Sequence, residues 1–186
     1  MIDQRVQKTR KALHVSLIAL IQEKGYDSIT VKDIVEHADV GRSTFYSHYL
    51  DKEHLLQGGL DDFGKHLLAQ QKALHSTGRE WPGLSFSKAF FQHAHGYRTV
   101  YRAMLGNHAG TVIAERMRRL LAQLVSYDLA ARRISGQVED VPRPAQVAFT
   151  VGAIMSLLTW WVDAEQDYGA DDLDALFRRM AAPMIG

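Results

Sequence analysis

Residues 42–52 read RSTFYSHYLDK, and their polar side chains are of the types that hydrogen-bond to DNA. Arg42 can place two parallel N–H groups on guanine O6 and N7. Ser43 and Thr44 can bond to bases or phosphates, and the Thr44 methyl group can meet thymine. Tyr46, His48 and Lys52 have donors and reach for phosphate oxygens, with Ser47 on the same outward side. Thr30, at the start of the preceding element, is grouped with them. These residues can act together only if the backbone presents them on one rigid face.

The surrounding pattern supplies such a face. Thr30 is an N-cap type and Asp33 stands at capping-box spacing, while Ile29 and Ile34 can form a hydrophobic staple. Val31, Ile34, Val35 and Ala38 fall on one side of a short helix. Asp39-Val40-Gly41 can turn the chain, since Asp tolerates left-handed backbone and Gly adopts it freely. A second helix is expected over residues 42–49, with Phe45 and Tyr49 inward. Leu50-Asp51 then opens another, with Asp51 as cap and a Leu50–Leu55 staple. This is the pattern of a helix-turn-helix. It fits a DNA reader and equally an ordinary helical hairpin whose polar face meets water.

Residues 29–56 resemble the DNA-binding region of the TetR (tetracycline repressor) family. The resemblance is carried by Thr30, Ile34, Ala38, Val40, Thr44, Phe45, Tyr46, His48, Tyr49, Lys52, Leu55 and Leu56. Asp39 stands where the family usually has Gly, and Gly41 where a Ser or similar residue often caps the second helix. The resemblance implies a transcriptional regulator, most often a repressor, that binds double-stranded, palindromic operator DNA as a homodimer. It also implies release by a small-molecule effector. Two other readings remain: a helical protein-interaction module, and a DNA-binding protein without a ligand.

Length and composition bound the rest. At 186 residues the chain can hold a small head and a larger body. Lys plus Arg at 22 against Asp plus Glu at 21 leaves a net charge of +1, so any basic footprint for nucleic acid must be local. One such cluster is Arg5, Lys8, Arg10 and Lys11. The absence of cysteine excludes a disulfide scaffold, a thiol nucleophile and thiolate metal sites, and fits a reducing cytoplasm. No signal peptide and no apolar run long enough for a bilayer is expected, giving a cytoplasmic protein.

Without strand-period alternation, the expected fold is all-α with about nine helices. Residues 1–50 would form a three-helix helix-turn-helix head, and residues 51–186 a helical regulatory body. A first helix over residues 3–24 carries Leu13, Leu17, Leu20 and Ile21 on one face. Gly58-Gly59 lies inside a long helix beginning at Asp51, either as a bend that lets the body lever the head or as a point of close packing. A turn is expected over residues 106–110 and loops over residues 76–83 and 136–144. Asp171 would cap the last helix.

The helix over residues 145–165 is apolar on more than one side, so it needs cover on several faces. It and the last helix supply candidates for a dimer interface: Ala148, Phe149, Gly152, Ser156, Trp160, Leu173, Leu176, Phe177 and Met180. The family resemblance implies such pairing; closing a monomer core is the other use of these helices. For an apolar or aromatic effector the candidate lining is Phe63, Phe90, His93, Tyr97, Tyr101, Met104, His108, Met117, Tyr127 and Trp160, because pockets combine such walls with a few polar groups. The nine histidines form no ligand set of metal-binding spacing. No enzyme motif is present, so neither catalytic residues, metal nor cofactor is expected.

Overall fold

In the computed structural model, residues 4–77, 83–105, 108–131, 141–165 and 168–185 are described, and they contain nine helices and no strand. The helices are α1 (Gln4–Lys24), α2 (Val31–His37), α3 (Arg42–Tyr46), α4 (Lys52–Ser76), α5 (Ser87–Gly96), α6 (Arg98–Leu105), α7 (His108–Ala131), α8 (Arg143–Asp163) and α9 (Ala170–Ile185). Local sequence sets several of their ends. The Thr30 hydroxyl accepts from Asp33 N (3.2 Å) and Asp33 Oδ2 accepts from Thr30 N (2.7 Å), completing the capping box of α2. Asp51 accepts from His54 N at 2.7 Å to start α4. Gly25, with φ +75°, ends α1.

Some ends differ from expectation. Regular α-helix in α3 stops at Tyr46; the chain then tightens, with His48 N and Tyr49 N both on Phe45 O at 2.9 Å. The last helix is secured by Asp172, which accepts from Gly169 N at 3.0 Å, while Asp171 pairs with Lys88. Leu50 is 75% exposed and makes no staple with the buried Leu55. In the expected turn over residues 106–110, α7 has already begun at His108; residues 106–107 lie outside the described ones, as do 78–82 and 136–140 of the two loops.

Two apolar cores result. In the head, Leu13, Leu17 and Ile21 of α1 meet Ile34, Phe45 and Tyr49, and the core continues into Leu55 and Leu56 of α4 and Val100 of α6. The body core gathers Leu67, Phe90, Phe91, Leu121, Leu124, Ile154, Leu158, Trp161, Leu173 and Phe177 from α4, α5 and α7 to α9. Buried polar groups are paired across it. Asp128, fully buried on α7, accepts from Ser85 N and Oγ (both 2.7 Å) and meets His75 Nε2 at 2.6 Å.

Helix α6 joins the two cores by packing on α1, α7 and α8. Arg98 donates to the Trp161 and Ala164 carbonyls (2.9 and 2.8 Å) and Arg102 to the Val162 carbonyl. Both therefore sit at the negative C-terminal end of α8, where cations are favoured. With 21 residues and mean hydropathy 1.5, α8 has the length and composition to cross a bilayer, contrary to expectation; half of its apolar window is buried in the body instead.

Candidate nucleic-acid interface and junction cavity

Asp39 takes the left-handed conformation of the turn (φ 51°), while Gly41 is extended (φ −63°) and begins α3 without a side-chain cap. The left-handed residue is thus Asp39, where a short polar side chain is tolerated. Behind α3, Phe45 is fully buried and Tyr49 nearly so, which fixes the helix on the head core. In front, Arg42, Ser43, Tyr46 and Ser47 are exposed and Thr44 and His48 half-buried. The Arg42 guanidinium lies 5.7 Å from the Tyr46 ring centroid, a cation–π placement that narrows its rotamers. Ser47 Oγ donates to Thr44 O at 2.7 Å.

Two expected DNA contacts are otherwise engaged. The Thr30 hydroxyl hydrogen is on Asp33 Oδ2 (2.6 Å), leaving no donor for phosphate; Thr30 sets the start of α2. Lys52 Nζ donates to the carbonyls of Tyr26 (2.9 Å), Ile29 (2.8 Å) and Asp27 (3.3 Å) and lies 4.4 Å from the Tyr26 ring centroid. An ammonium has three hydrogens, so its capacity is filled by backbone. Lys52 pins α4 to the α1–α2 loop.

Arg10, expected within a basic cluster, and Gly58-Gly59, expected as a bend or a point of close packing, help hold the recognition segment and α1 to the long helices, together with His14, which the sequence did not single out. Arg10 of α1 donates from Nε to the Tyr49 hydroxyl at 3.0 Å, and this bond chiefly raises the Arg10 pKa. Arg10 also approaches Asp62 of α4 at 3.8 Å. A Cβ at Gly58 would stand 3.1 Å from Tyr49 Cε1, and one at Gly59 only 1.9 Å from His14 Cε1. The paired glycines lie within a continuous α4 and admit two rings against its backbone, which is the close-packing alternative.

Where head meets body, a partly open cavity of about 80 Å³ lies between both cores. The head side supplies His14 and Ile18 of α1 with Leu56, Gly59 and Leu60 of α4. The body side supplies His93 of α5, Tyr97, Val100 and Tyr101 at α6, Ile113, Ala114 and Met117 of α7, and Met155 and Leu158 of α8. His93 stacks on Phe63 (3.6 Å between centroids) and lies 4.7 Å from Tyr97. Burial, with a smaller push from His14, lowers the His93 pKa to about 4. Burial likewise lowers that of His14, against a smaller opposing pull from Asp62, and raises that of Tyr101. His14 Nδ1 is buried and bonded to nothing among the described residues.

Of the expected effector lining, His93, Tyr97, Tyr101 and Met117 are brought together here. Phe63 stands behind His93 as its stacking partner. Phe90 is body core; Tyr127 packs on His75 at 4.8 Å; Trp160 is 48% exposed on the far side of α8. None of these three lines the cavity. Met104 and His108 fall outside the described side chains. His14 and Gly59 were missed because their meeting depends on how α1 crosses α4, which no local pattern states.

The expected dimer surface divides similarly. Ala148, Phe149, Gly152, Ser156 and Trp160 form an exposed stripe along α8, and Met180 is 63% exposed on α9. Leu173 and Phe177 are not on it: both are body core, with Phe177 6.1 Å from Phe91 between ring centroids. Leu176 is half-buried between the two.

Residues 17–58 match the bacterial regulatory protein family TetR. Over 57 residues the chain is 46% identical to YxbF of Bacillus subtilis (strain 168), an uncharacterized helix-turn-helix-type transcriptional regulator; the match covers 30% of this chain and 15% of that protein. The crystal structure of a TetR transcriptional regulator from Streptococcus agalactiae 2603V is 30% identical, with 96% of each chain covered and a TM-score of 0.66. A TetR-family regulator from Syntrophomonas wolfei, 16% identical over 95% of each chain, shares the fold with a TM-score of 0.73. The chain belongs to the TetR family of transcriptional regulators.

Proposed function

We propose that this chain works in the cytoplasm as a homodimeric repressor that binds a palindromic operator and leaves it when a small molecule occupies the junction cavity. The observation that carries this reading is the shared wall of the cavity: α1 and α4 line it from the head, α5 to α8 from the body. A ligand there touches both units and changes their relative packing, which is the differential contact that allostery needs. Coupling of this kind is typically about 1–3 kcal/mol.

On DNA, α3 enters the major groove. Arg42, Ser43 and Thr44 read bases, while Tyr46 and His48 position the head on phosphates. The exposed stripe Ala148, Phe149, Gly152, Ser156 and Trp160 supports pairing through α8, which places two heads about 34–36 Å apart or a multiple of that.

Selection of random duplex DNA by the purified protein, read by sequencing, tests the proposal. A palindromic motif whose half-sites are spaced by whole helical turns is the expected result. A folded dimer that enriches no sequence, before and after refolding to strip bound ligand, would overturn it in favour of a protein-interaction module.

A further inference from the structure

Taking the cavity as the effector site, we propose that it accepts an uncharged, single-ring molecule bearing a hydroxyl or carbonyl group, and that His14 is the group through which the head senses it. This rests on the regulatory reading above and names the ligand class and the sensing residue.

Size and charge define the class. At about 80 Å³ the enclosed space is smaller than the roughly 150 Å³ that takes up one benzene, so a single ring reaching toward the open side is the most it can hold, and a long acyl chain or a nucleotide could not be enclosed. Among the described residues no Lys, Arg, Asp or Glu lines the cavity. An anion or cation would enter an apolar wall with no counter-charge, a costly transfer. The polar inventory is two imidazoles, kept neutral by burial, and the phenols of Tyr97 and Tyr101. A neutral imidazole has one donor and one acceptor, so it pairs with a hydroxyl or carbonyl. The rings of Tyr97 and Tyr101 lie 4.7 and 6.1 Å from that of His93, an aromatic wall against which a ligand ring can pack.

The sensing role follows from packing. The His14 ring sits on α4 at Gly59 and has no free space on that side. Its Nδ1 is the one cavity-lining nitrogen that is buried without a partner among the described residues, and buried polar groups are rarely left so. A ligand that bonds this imidazole cannot push it further into α4. The movement must be taken up by α1, which carries Leu17 and Ile21 of the head core on the same side of the helix, one and two turns further on.

The test uses the full chain and fluorine NMR at neutral pH with three probes of similar shape: para-fluorophenol, fluorobenzene and para-fluorobenzoate. We expect para-fluorophenol to bind about tenfold more tightly than fluorobenzene, the difference one satisfied hydrogen bond makes, and benzoate to bind least. His14→Phe should bring the phenol to the level of fluorobenzene, while His14→Gln keeps part of the difference. Shifts of the His14 ring resonances in the wild-type chain on adding para-fluorophenol decide the location even if a variant fails to fold. Benzoate binding as well as phenol, no binding by any probe, or an unmoved His14 resonance would each overturn the proposal. Phenol bound at His14 without effect on operator binding keeps the ligand class and removes the effector reading. Operator release by an anion or a long-chain amphiphile does the reverse.

Discussion

The imidazole of His14 rests directly on the backbone of α4 at Gly59, so closely that a methyl group there would stand 1.9 Å from Cε1. This contact, beside the Arg10–Asp62 approach and the shared head core, ties the first helix of the head to the long helix that runs into the body. Alanine in place of glycine favours a helix interior by about 1 kcal/mol. At Gly59 that gain is opposed by overpacking, which typically costs about 1–3 kcal/mol. Gly59→Ala should therefore lower the urea midpoint or leave it no higher, and Gly59→Ala with His14→Ala should recover more stability than the two single changes predict by addition. Gly58→Ala, which meets Tyr49 at 3.1 Å, should be nearly neutral. If all these variants were simply stabilised, the glycines would serve no packing purpose.

Lys52 and Arg42 should separate cleanly. Removing the Lys52 ammonium takes a charged donor from the carbonyls of Tyr26, Asp27 and Ile29, of which Tyr26 O keeps the Ile29 N–H and Ile29 O, in a buried residue, loses most. Lys52→Met should lower stability by about 1–3 kcal/mol, weakening binding to every sequence through loss of folded head. Arg42→Ala, on an exposed face, should leave the melting temperature unchanged and relax base preference. A Lys52→Met protein that melts normally but shows a shallower salt dependence would restore Lys52 as a phosphate contact.

These outcomes also show where sequence alone stops. The capping box of Thr30 and Asp33 and the cap at Asp51 are local: donor and acceptor are three residues apart, so spacing states the bond. The buried sides of α1 and α3 follow from periodicity for the same reason. Lys52 advertises a charge, but its carbonyl partners arrive from another part of the chain. Leu173 and Phe177 advertise an apolar face, yet periodicity does not say whether a neighbouring helix or a second protomer covers it. Four of the fourteen cavity-lining residues, His93, Tyr97, Tyr101 and Met117, were legible because their types suit a pocket wall; the head's side was hidden because Ile18 and Leu56 look like any core residues.

The exposed stripe on α8 gives a prediction about assembly. Trp160→Glu places a charge on a face that dimerisation would bury, and should shift the protein to monomer at micromolar concentration in light scattering. The melting temperature of the wild type should then rise with protein concentration, and that of the variant should not. Phe177→Ala should instead cost about 3–5 kcal/mol at any concentration, since it opens the body core. A Trp160→Glu dimer of unchanged affinity would move the interface off this stripe.

The last prediction concerns pH. His93 is enclosed by Phe63, Tyr97 and Tyr101 and titrates near 4 in the folded chain, against an ordinary value of 6.5. Between these values the unfolded chain holds the extra proton, so stability falls as pH drops through the window and is flat above it. The loss from this residue should reach roughly 2 kcal/mol by about pH 5 and roughly 3 kcal/mol when complete. His14, lowered in the same direction, adds to the slope. Asp33 and Asp61 do not confuse the window: hydrogen bonds from Thr30 and Arg116 respectively hold both carboxyls below the ordinary carboxylate value, so their stabilisation is lost only at still lower pH. Urea titrations of the wild type and His93→Phe at neutral pH and at about pH 5 should differ by roughly 2 kcal/mol in their pH response, the variant keeping the ring against Phe63 while losing the proton site. Equal slopes for the two proteins would mean that His93 is solvated and that the cavity is wetter than its lining implies.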